Sequence, residues 1–351
     1  MMKMKIAIVC YPTFGGSGVM ATELGMSLVN HGHEVHFIAY KKPVRLTDLN
    51  QNLHFHKVNV PDYPLFSFVP YELALSTKLV DVVKNNSIDV LHVHYAIPHA
   101  YAAYMAKKML KEQSINIPIV TTLHGTDITL VGNHPSYKTA VTFSINKSDI
   151  VTCVSQSLKE DTLDQFDIKK EIVVIPNFID ISKYIIQQDL CLHENPIPAK
   201  EFIISHVSNF RPVKNVTNVI KIFYNIQKQL KAQLLMIGEG PEKSVAEDLC
   251  KELGISHLVK FLGNTNQVEK NLCHSDLFLL PSSAESFGLA ALEAMASKVA
   301  VISSNAGGLP EINIDGETGY VEDFDNIDEM SKKAISILSS KEQLDSFKNK
   351  A

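Results

Sequence analysis

The chain has 351 residues, enough for about two domains that each bury a core. Lys plus Arg number 33 against 38 for Asp plus Glu, a formal charge of −5, which argues against a nucleic-acid binder that works through a basic face. Hydrophobic residues make up 45% and charged ones 20%, so the composition is globular rather than disordered, and no apolar run approaches the roughly 18 residues that cross a bilayer.

Met1 to Tyr11 carries two lysines and then Ile6-Ala7-Ile8-Val9-Cys10 before Pro12, which reads as a first strand and not as a signal peptide. That strand, Lys5 to Cys10, runs through Thr13-Phe14-Gly15-Gly16-Ser17-Gly18 into a helix predicted over Val19 to His31. Backbone N–H groups around Gly16 and a helix N-terminus thus gather where an anion could sit, although a tight turn would by itself account for the glycines. The spacing is not the dinucleotide fingerprint, and the second strand ends at Ala39-Tyr40-Lys41-Lys42 without a ribose-binding acid, which disfavours a nicotinamide dehydrogenase.

Further strands are predicted at Glu34 to Ala39, His54 to Val58, Val90 to His94, Ile119 to Leu123, Ile150 to Val154 and Ile172 to Ile175, with helices such as Tyr71 to Asn86 between them. His92 and His94 share a strand face and His99 follows; without a completing Cys or acid they read as hydrogen-bonded histidines rather than a metal site. His124-Gly125-Thr126-Asp127 follows a strand end, where a neutral imidazole can serve a sugar hydroxyl. The polar stretch from Asp180 to Lys200 reads as a connection, giving a first domain over 1–180, a linker over 181–200 and a second domain over 201–351.

Strands resume at Phe202 to Val207, Gln233 to Ile237, Leu258 to Phe261, Leu277 to Leu280 and Val299 to Ser303. Short β-branched runs alternating with amphipathic stretches predict an α/β architecture of two doubly wound parallel-sheet domains facing across a cleft. Arg211 and Lys214 follow one strand, a fork and a point charge suited to a diphosphate, though two solvated surface cations would look the same. Gly238-Glu239-Gly240-Pro241-Glu242 follows the next, with Pro241 placed to open a helix. Glu285 and Glu293 are eight residues apart; on one helix that is roughly 12 Å, too far for a hydrolase acid/base pair. A loop carrying Glu285, free N–H groups from Phe287 through Gly288 to Leu289, and Glu293 a little over two turns into the helix would instead reach different ligand groups. Asp323-Phe324-Asp325 suggests a metal carboxylate pair, but Asp325 is expected to cap the next helix, and no metal is predicted. Five scattered cysteines, Cys10, Cys153, Cys191, Cys250 and Cys273, form no C-x-x-C pair and point to a reducing cytoplasm without structural zinc.

Taken together, Arg211 with Lys214, the Gly238 to Glu242 turn, Glu285 with Glu293, and Gly307-Gly308-Leu309-Pro310-Glu311 resemble the retaining family 4 glycosyltransferases of the GT-B fold. Tyr11 to Gly18, His92 to Ala100 and Thr121 to Asp127 resemble the branch of that family that glycosylates L-malate in bacillithiol biosynthesis. The resemblance implies transfer of N-acetylglucosamine from UDP-N-acetylglucosamine to the malate hydroxyl, with retention and without a metal or other cofactor. It implies that Gly16 contacts the donor, that Arg211 and Lys214 hold its diphosphate, and that Gly238 lines its site. It further implies Glu293 on the ribose, uracil against Leu262 and Gly263, Glu285 with the 287–289 backbone on the sugar, and His124 beside the sugar's reacting face. For malate the candidates are Ser17, Tyr95, Thr121 and Thr122, with Asn177 less central; Thr142 and Lys138 leave the matching cation unassigned. GT-B chains usually end in a helix that crosses back to the first domain, so stopping at Ala351 amid a polar helical stretch suggests a missing last helix. The sequence leaves the oligomeric state open, although soluble bacterial enzymes are often homodimers. The rival readings are a lipid-linked or cell-wall acceptor, served by an apolar, basic patch of Phe66-Ser67-Phe68-Val69-Pro70 with Lys41, Lys42 and Arg45, then a non-catalytic nucleotide-sugar binder and a sugar-nucleotide epimerase.

Overall fold

The computed structural model describes residues 3–46, 49–62, 68–193 and 201–351, of which 188–193 are described as backbone only. It divides into two compact units, Met1–Asn177 and Phe178–Ala351. Phe66 and Ser67 of the expected apolar patch lie outside the described residues.

The first unit runs β1 (Lys5–Val9), α1 (Gly16–Asn30), β2 (Glu34–Ala39), β3 (Leu53–Lys57), α2 (Tyr71–Asn86), β4 (Val90–His94), α3 (Tyr101–Lys111), β5 (Ile119–Leu123), α4 (Pro135–Lys147), β6 (Ile150–Cys153), α5 (Gln156–Gln165) and β7 (Ile172–Val174). Its seven strands are all parallel, in the order β3-β2-β1-β4-β5-β6-β7. Ala7, Ile8 and Val9 of β1 are fully buried, as a central strand covered on both faces requires. One face is closed by α2 and α3, whose Leu75, Leu79, Val82, Ala102, Ala106 and Leu110 pack on Leu91 and Val93 of β4. The strand order reverses between β1 and β4, and it is outside the C-terminal ends of such a pair that ligands bind in open α/β sheets.

The second unit runs α6 (Ile181–His193), β8 (Phe202–Val207), α7 (Val216–Gln227), β9 (Ala232–Ile237), α8 (Lys243–Glu252), β10 (Val259–Gly263), α9 (Val268–Leu272), β11 (Leu277–Leu280), α10 (Leu289–Ala296), β12 (Ala300–Ser304), β13 (Gly319–Glu322), α11 (Ile327–Ser339) and α12 (Lys341–Lys350). Its strands are parallel in the order β10-β9-β8-β11-β12-β13, reversing between β8 and β11. Val216, Val219, Ile220, Phe223 and Ile226 of α7 recur at helical spacing and are buried.

Three local expectations are corrected. The stretch expected as a polar linker from residue 181 begins instead as α6, where the apolar Tyr184 is buried. The cap of α11 is Asn326, whose side chain accepts from the Glu329 N–H, rather than Asp325, because the chain turns one residue later. Strand β13, which sequence reading missed, has only Val321 as a β-branched residue and owes its state to pairing with β12. Leu344 and Phe347 of α12 are buried in the second unit's core, and the Lys348 ammonium donates to Asp276 at 2.9 Å.

Candidate active site

In the second unit, the loops after β8 and β11 emerge side by side at the point where the strand order reverses. After β8 the chain makes a short 3-10 turn, Pro212–Lys214, before α7. Asn215 sits in the left-handed region and its side-chain amide donates to the Pro281 carbonyl at 3.0 Å, while the Ser283 N–H donates to the Val213 carbonyl at 2.8 Å. These bonds fasten the two loops together and bring Lys214 against Glu285, whose Oε2 accepts a hydrogen bond from the ammonium. Both side chains are mostly buried, so the pair is a fixed charged element and not a surface ion pair. Arg211 stands exposed on the same loop.

Two glycine motifs hold this arrangement in place. Gly238 has φ +126°, and a Cβ there would lie 1.8 Å from the Ser208 carbonyl oxygen; the turn therefore packs its backbone directly on the β8 loop. Its N–H donates to the Gly263 carbonyl at 2.8 Å, next to the exposed Leu262 at the end of β10. Gly307 has φ +55°, and a Cβ there would lie 1.9 Å from the Glu285 carbonyl oxygen, which the neighbouring Gly308 N–H contacts at 3.0 Å. Below, His206 is fully buried and bonds the Leu279 carbonyl and the Ser208 hydroxyl, each at 2.8 Å; burial lowers its pKa to about 4.

Residues 281–288 are not helical, and α10 begins at Leu289 after Gly288 in a left-handed conformation. Glu293 is therefore one turn into α10, about 6 Å along its axis from Leu289, and not the two turns expected. Its side chain is buried, as is that of Phe287, whose ring joins the core and leaves only its backbone for a ligand.

In the first unit, β1, β4 and β5 end next to one another. The Ser17 hydroxyl at the start of α1 donates to the Tyr95 hydroxyl at 2.9 Å, and the Tyr95 ring lies 5.4 Å from that of His124. His124 and His94 are joined ring nitrogen to ring nitrogen at 2.8 Å. His92 bonds the Thr122 hydroxyl at 2.8 Å, which in turn bonds Thr152 at 2.7 Å. Alternation along β5 sends Thr121 to the other side, where it is fully buried and bonded to Ser148 at 2.7 Å. Asn177, the last residue of the unit, is half-buried. Burial lowers the pKa of His92 and His99 to about 4 and of His124 to about 3, so this ladder is uncharged at neutral pH. The Lys138 ammonium lies over the Phe166 ring at 5.6 Å.

Asp127 has no role that the sequence pattern alone assigns. It is buried, its Oδ2 accepts from the Ala96 N–H at 2.8 Å, and its Oδ1 accepts from the His124 and Gly125 N–H groups at 3.1 and 3.0 Å. One carboxyl thus ties the loop after β4 to the loop after β5. Burial raises its pKa to about 6, against the lowering effect of those N–H bonds. The available signal was an acid three residues beyond a histidine at a strand end.

Comparison with known proteins gives a consistent picture. Residues 14–183 match the family model described as Glycosyltransferase Family 4, and residues 189–351 match that for Glycosyl transferases group 1. An N-acetyl-alpha-D-glucosaminyl L-malate synthase from Bacillus anthracis is 45% identical over 97% of this chain and 89% of its own. Among solved structures, a sucrose-phosphate synthase from Thermosynechococcus elongatus superposes with a TM-score of 0.78 at 20% identity, covering 99% of this chain and 93% of that one. An Anabaena protein in complex with UDP and glucose superposes with a TM-score of 0.76 at 20% identity over the same shares.

Proposed function

The chain belongs to the family 4 glycosyltransferases of the GT-B fold, and from that premise we propose that it transfers N-acetylglucosamine from UDP-N-acetylglucosamine to the hydroxyl of L-malate, with retention at the anomeric carbon. The observation that carries this reading is the 45% identity to the Bacillus anthracis enzyme of that name, which extends over 97% of the chain. The donor falls to the second unit: Arg211 and Lys214 take the diphosphate, Glu293 the ribose, the backbone at Leu262 and Gly263 the uracil, with Gly238 forming the floor. Glu285 and the N–H groups at the start of α10 take sugar hydroxyls once the nucleotide draws Lys214 toward phosphate. The acceptor falls to the first unit, to Ser17, Tyr95 and Thr122, with Asn177 at its margin. Thr121 supports this face from the opposite side of β5, while Gly16 at the start of α1 is assigned to the donor.

In this reading the C–O bond from sugar to diphosphate breaks as the malate oxygen bonds the anomeric carbon. The malate hydroxyl proton passes to the departing phosphate oxygen. Fixed cations stabilise the charge that develops on the leaving group, which is why we assign no metal to the reaction. Incubation with UDP-N-acetylglucosamine, L-malate and EDTA, with D-malate and no-acceptor controls, tests this by mass spectrometry. A malate-dependent glycoside with UDP release is expected; UDP release only with a different acceptor would sink the malate assignment. The second reading, a lipid-linked acceptor, has one observation behind it, the 89% and 57% exposure of Phe68 and Val69. Flotation of the protein with liposomes would favour it.

A further inference from the structure

Strands β2 and β3 carry a cluster of chemistry that the transfer reaction does not use. Glu34 and His36 lie on one face of β2, and His54 and His56 on the same face of β3, with His36 paired directly to His54 in the parallel register. The His36 Nε2 is 3.0 Å from Glu34 Oε1, and the His54 Nε2 is 3.8 Å from that same oxygen. Ligand atoms of Glu34, His36 and His54 all lie within 4.8 Å of one another. In a tetrahedral site with bonds of 2.0–2.1 Å, ligand atoms stand about 3.3 Å apart, so closing this set takes side-chain shifts of an ångström or so. The His36 and His54 rings are stacked, 4.5 Å between centroids, so both are aligned by the strands that carry them.

We propose that Glu34, His36 and His54 form a binding site for a divalent transition-metal ion of the zinc class. Two imidazoles and one carboxylate suit zinc better than calcium or magnesium, which prefer all-oxygen shells. His54 is the more exposed ligand, its side chain 36% exposed against 15% for Glu34, so water reaches the fourth position from its side. His36 is fully buried, and its Nδ1 bonds the His56 Nε2 at 2.9 Å. With the metal on Nε2, the remaining His36 proton sits on Nδ1 and is donated to His56, the outer-sphere contact that fixes a ligating imidazole. That exchange moves protons within the pair and releases none. The Lys5 ammonium, 3.4 Å from Glu34 Oε1, gives way easily because its side chain is 40% exposed. All three ligands lie toward the N-terminal ends of their strands, opposite the edge that holds Ser17, Tyr95 and His124. The ion therefore clamps edge strand β3 to β2 and takes no part in transfer.

Chelator-treated protein titrated with ZnCl2 in a calorimeter should bind one equivalent, with a thermal midpoint that climbs with zinc concentration. His54→Ala should lose that binding while keeping its metal-free thermal midpoint and its turnover. His56→Ala should bind about 10- to 100-fold more weakly, as loss of an outer-sphere partner does. In the unmodified chain, ring NMR signals of His36 and His54 should shift on zinc addition, which tests the site without any variant. Absence of a stoichiometric zinc isotherm, zinc binding undiminished in His54→Ala, or shifts confined to other histidines would each overturn the assignment.

Discussion

Asp127 gives the sharpest test of how the first unit's face is assembled. Its two oxygens receive three backbone N–H groups from two loops, at 2.8, 3.0 and 3.1 Å. Asp127→Ala leaves those three donors buried and unpaired, about 3–9 kcal/mol at 1–3 kcal/mol each, from which relief of the buried charge returns about 3 kcal/mol above pH 6, leaving a net loss of about 2–4 kcal/mol in the middle of that range. Asp127→Asn differs in kind. Its amide oxygen can keep His124 and Gly125, but its NH2 then meets the Ala96 N–H donor to donor, at about 1–3 kcal/mol. Against this, Asn removes the burial penalty on the charge: a carboxyl raised from 3.8 to about 6 costs the folded state about 3 kcal/mol above pH 6. The Asn protein should therefore be about as stable as the parent at pH 7.5, while turnover falls about 10- to 100-fold because the Ala96 and His124 loops lose their common anchor. Urea unfolding and steady-state kinetics on both variants measure this. An Ala variant as stable as the parent, or an Asn variant with full turnover, refutes the anchoring argument. The pH sign is definite: folded Asp127 holds its proton up to about pH 6 and the unfolded one only to 3.8, so its contribution to stability is full below 3.8 and declines as pH rises through 6.

Lys214→Met should strand Glu285 as a buried, unpaired carboxylate, so Glu285→Gln added to it should restore about 1–3 kcal/mol of stability without restoring turnover; additive urea midpoints would disprove the coupling. Gly307→Ala sets a Cβ into the Glu285 carbonyl at positive φ, and should cost about 2–4 kcal/mol and raise the donor KM, whereas a variant with parental stability and KM would show that the loop yields freely. The buried imidazoles act oppositely to Asp127: His92, His99 and His124 titrate at about 4, 4 and 3 when folded against 6.5 otherwise. Their contribution is complete above pH 6.5 and is lost as pH falls toward 4; three imidazoles outweigh one carboxyl, so urea midpoints should fall steadily over that range, and a flat profile would contradict it.

The parallel sheets were legible because buried strands such as Ile6 to Val9 and Leu277 to Leu280 are continuous apolar runs, a local signal that needs no tertiary information. Lys214 and Glu285 were legible as charged residues at strand ends, but their pairing was not, since it depends on β8 and β11 being neighbours although more than sixty residues lie between them. The helical register of Glu293 went wrong for a related reason: Gly288 looks like one more small residue in sequence, while in the fold its positive φ delays α10 until Leu289. Thr121 and Thr122 read as equivalent hydroxyls until the pleat of β5 separates them onto opposite faces. The Glu34, His36 and His54 cluster needs two strands in register, and no spacing within one segment reveals it.

The two strand-order reversals in this chain are built from opposite electrostatics. The face in the second unit concentrates fixed charge in Arg211, Lys214 and Glu285, held by backbone contacts at Gly238 and Gly307. The face in the first unit presents uncharged imidazoles, because burial keeps His92, His94 and His124 unprotonated, while the Asp127 carboxylate is buried beneath it with its oxygens taken up by three N–H groups. Burial lowers the His124 pKa to about 3, which makes the imidazole a weak base suited to hydrogen bonding. Glu285, released from Lys214 once the nucleotide binds, is assigned to sugar hydroxyls in the proposed complex. If transfer proceeds as proposed, the leaving phosphate oxygen, whose developing charge the cations stabilise, is the group chemically suited to receive the proton of the acceptor hydroxyl.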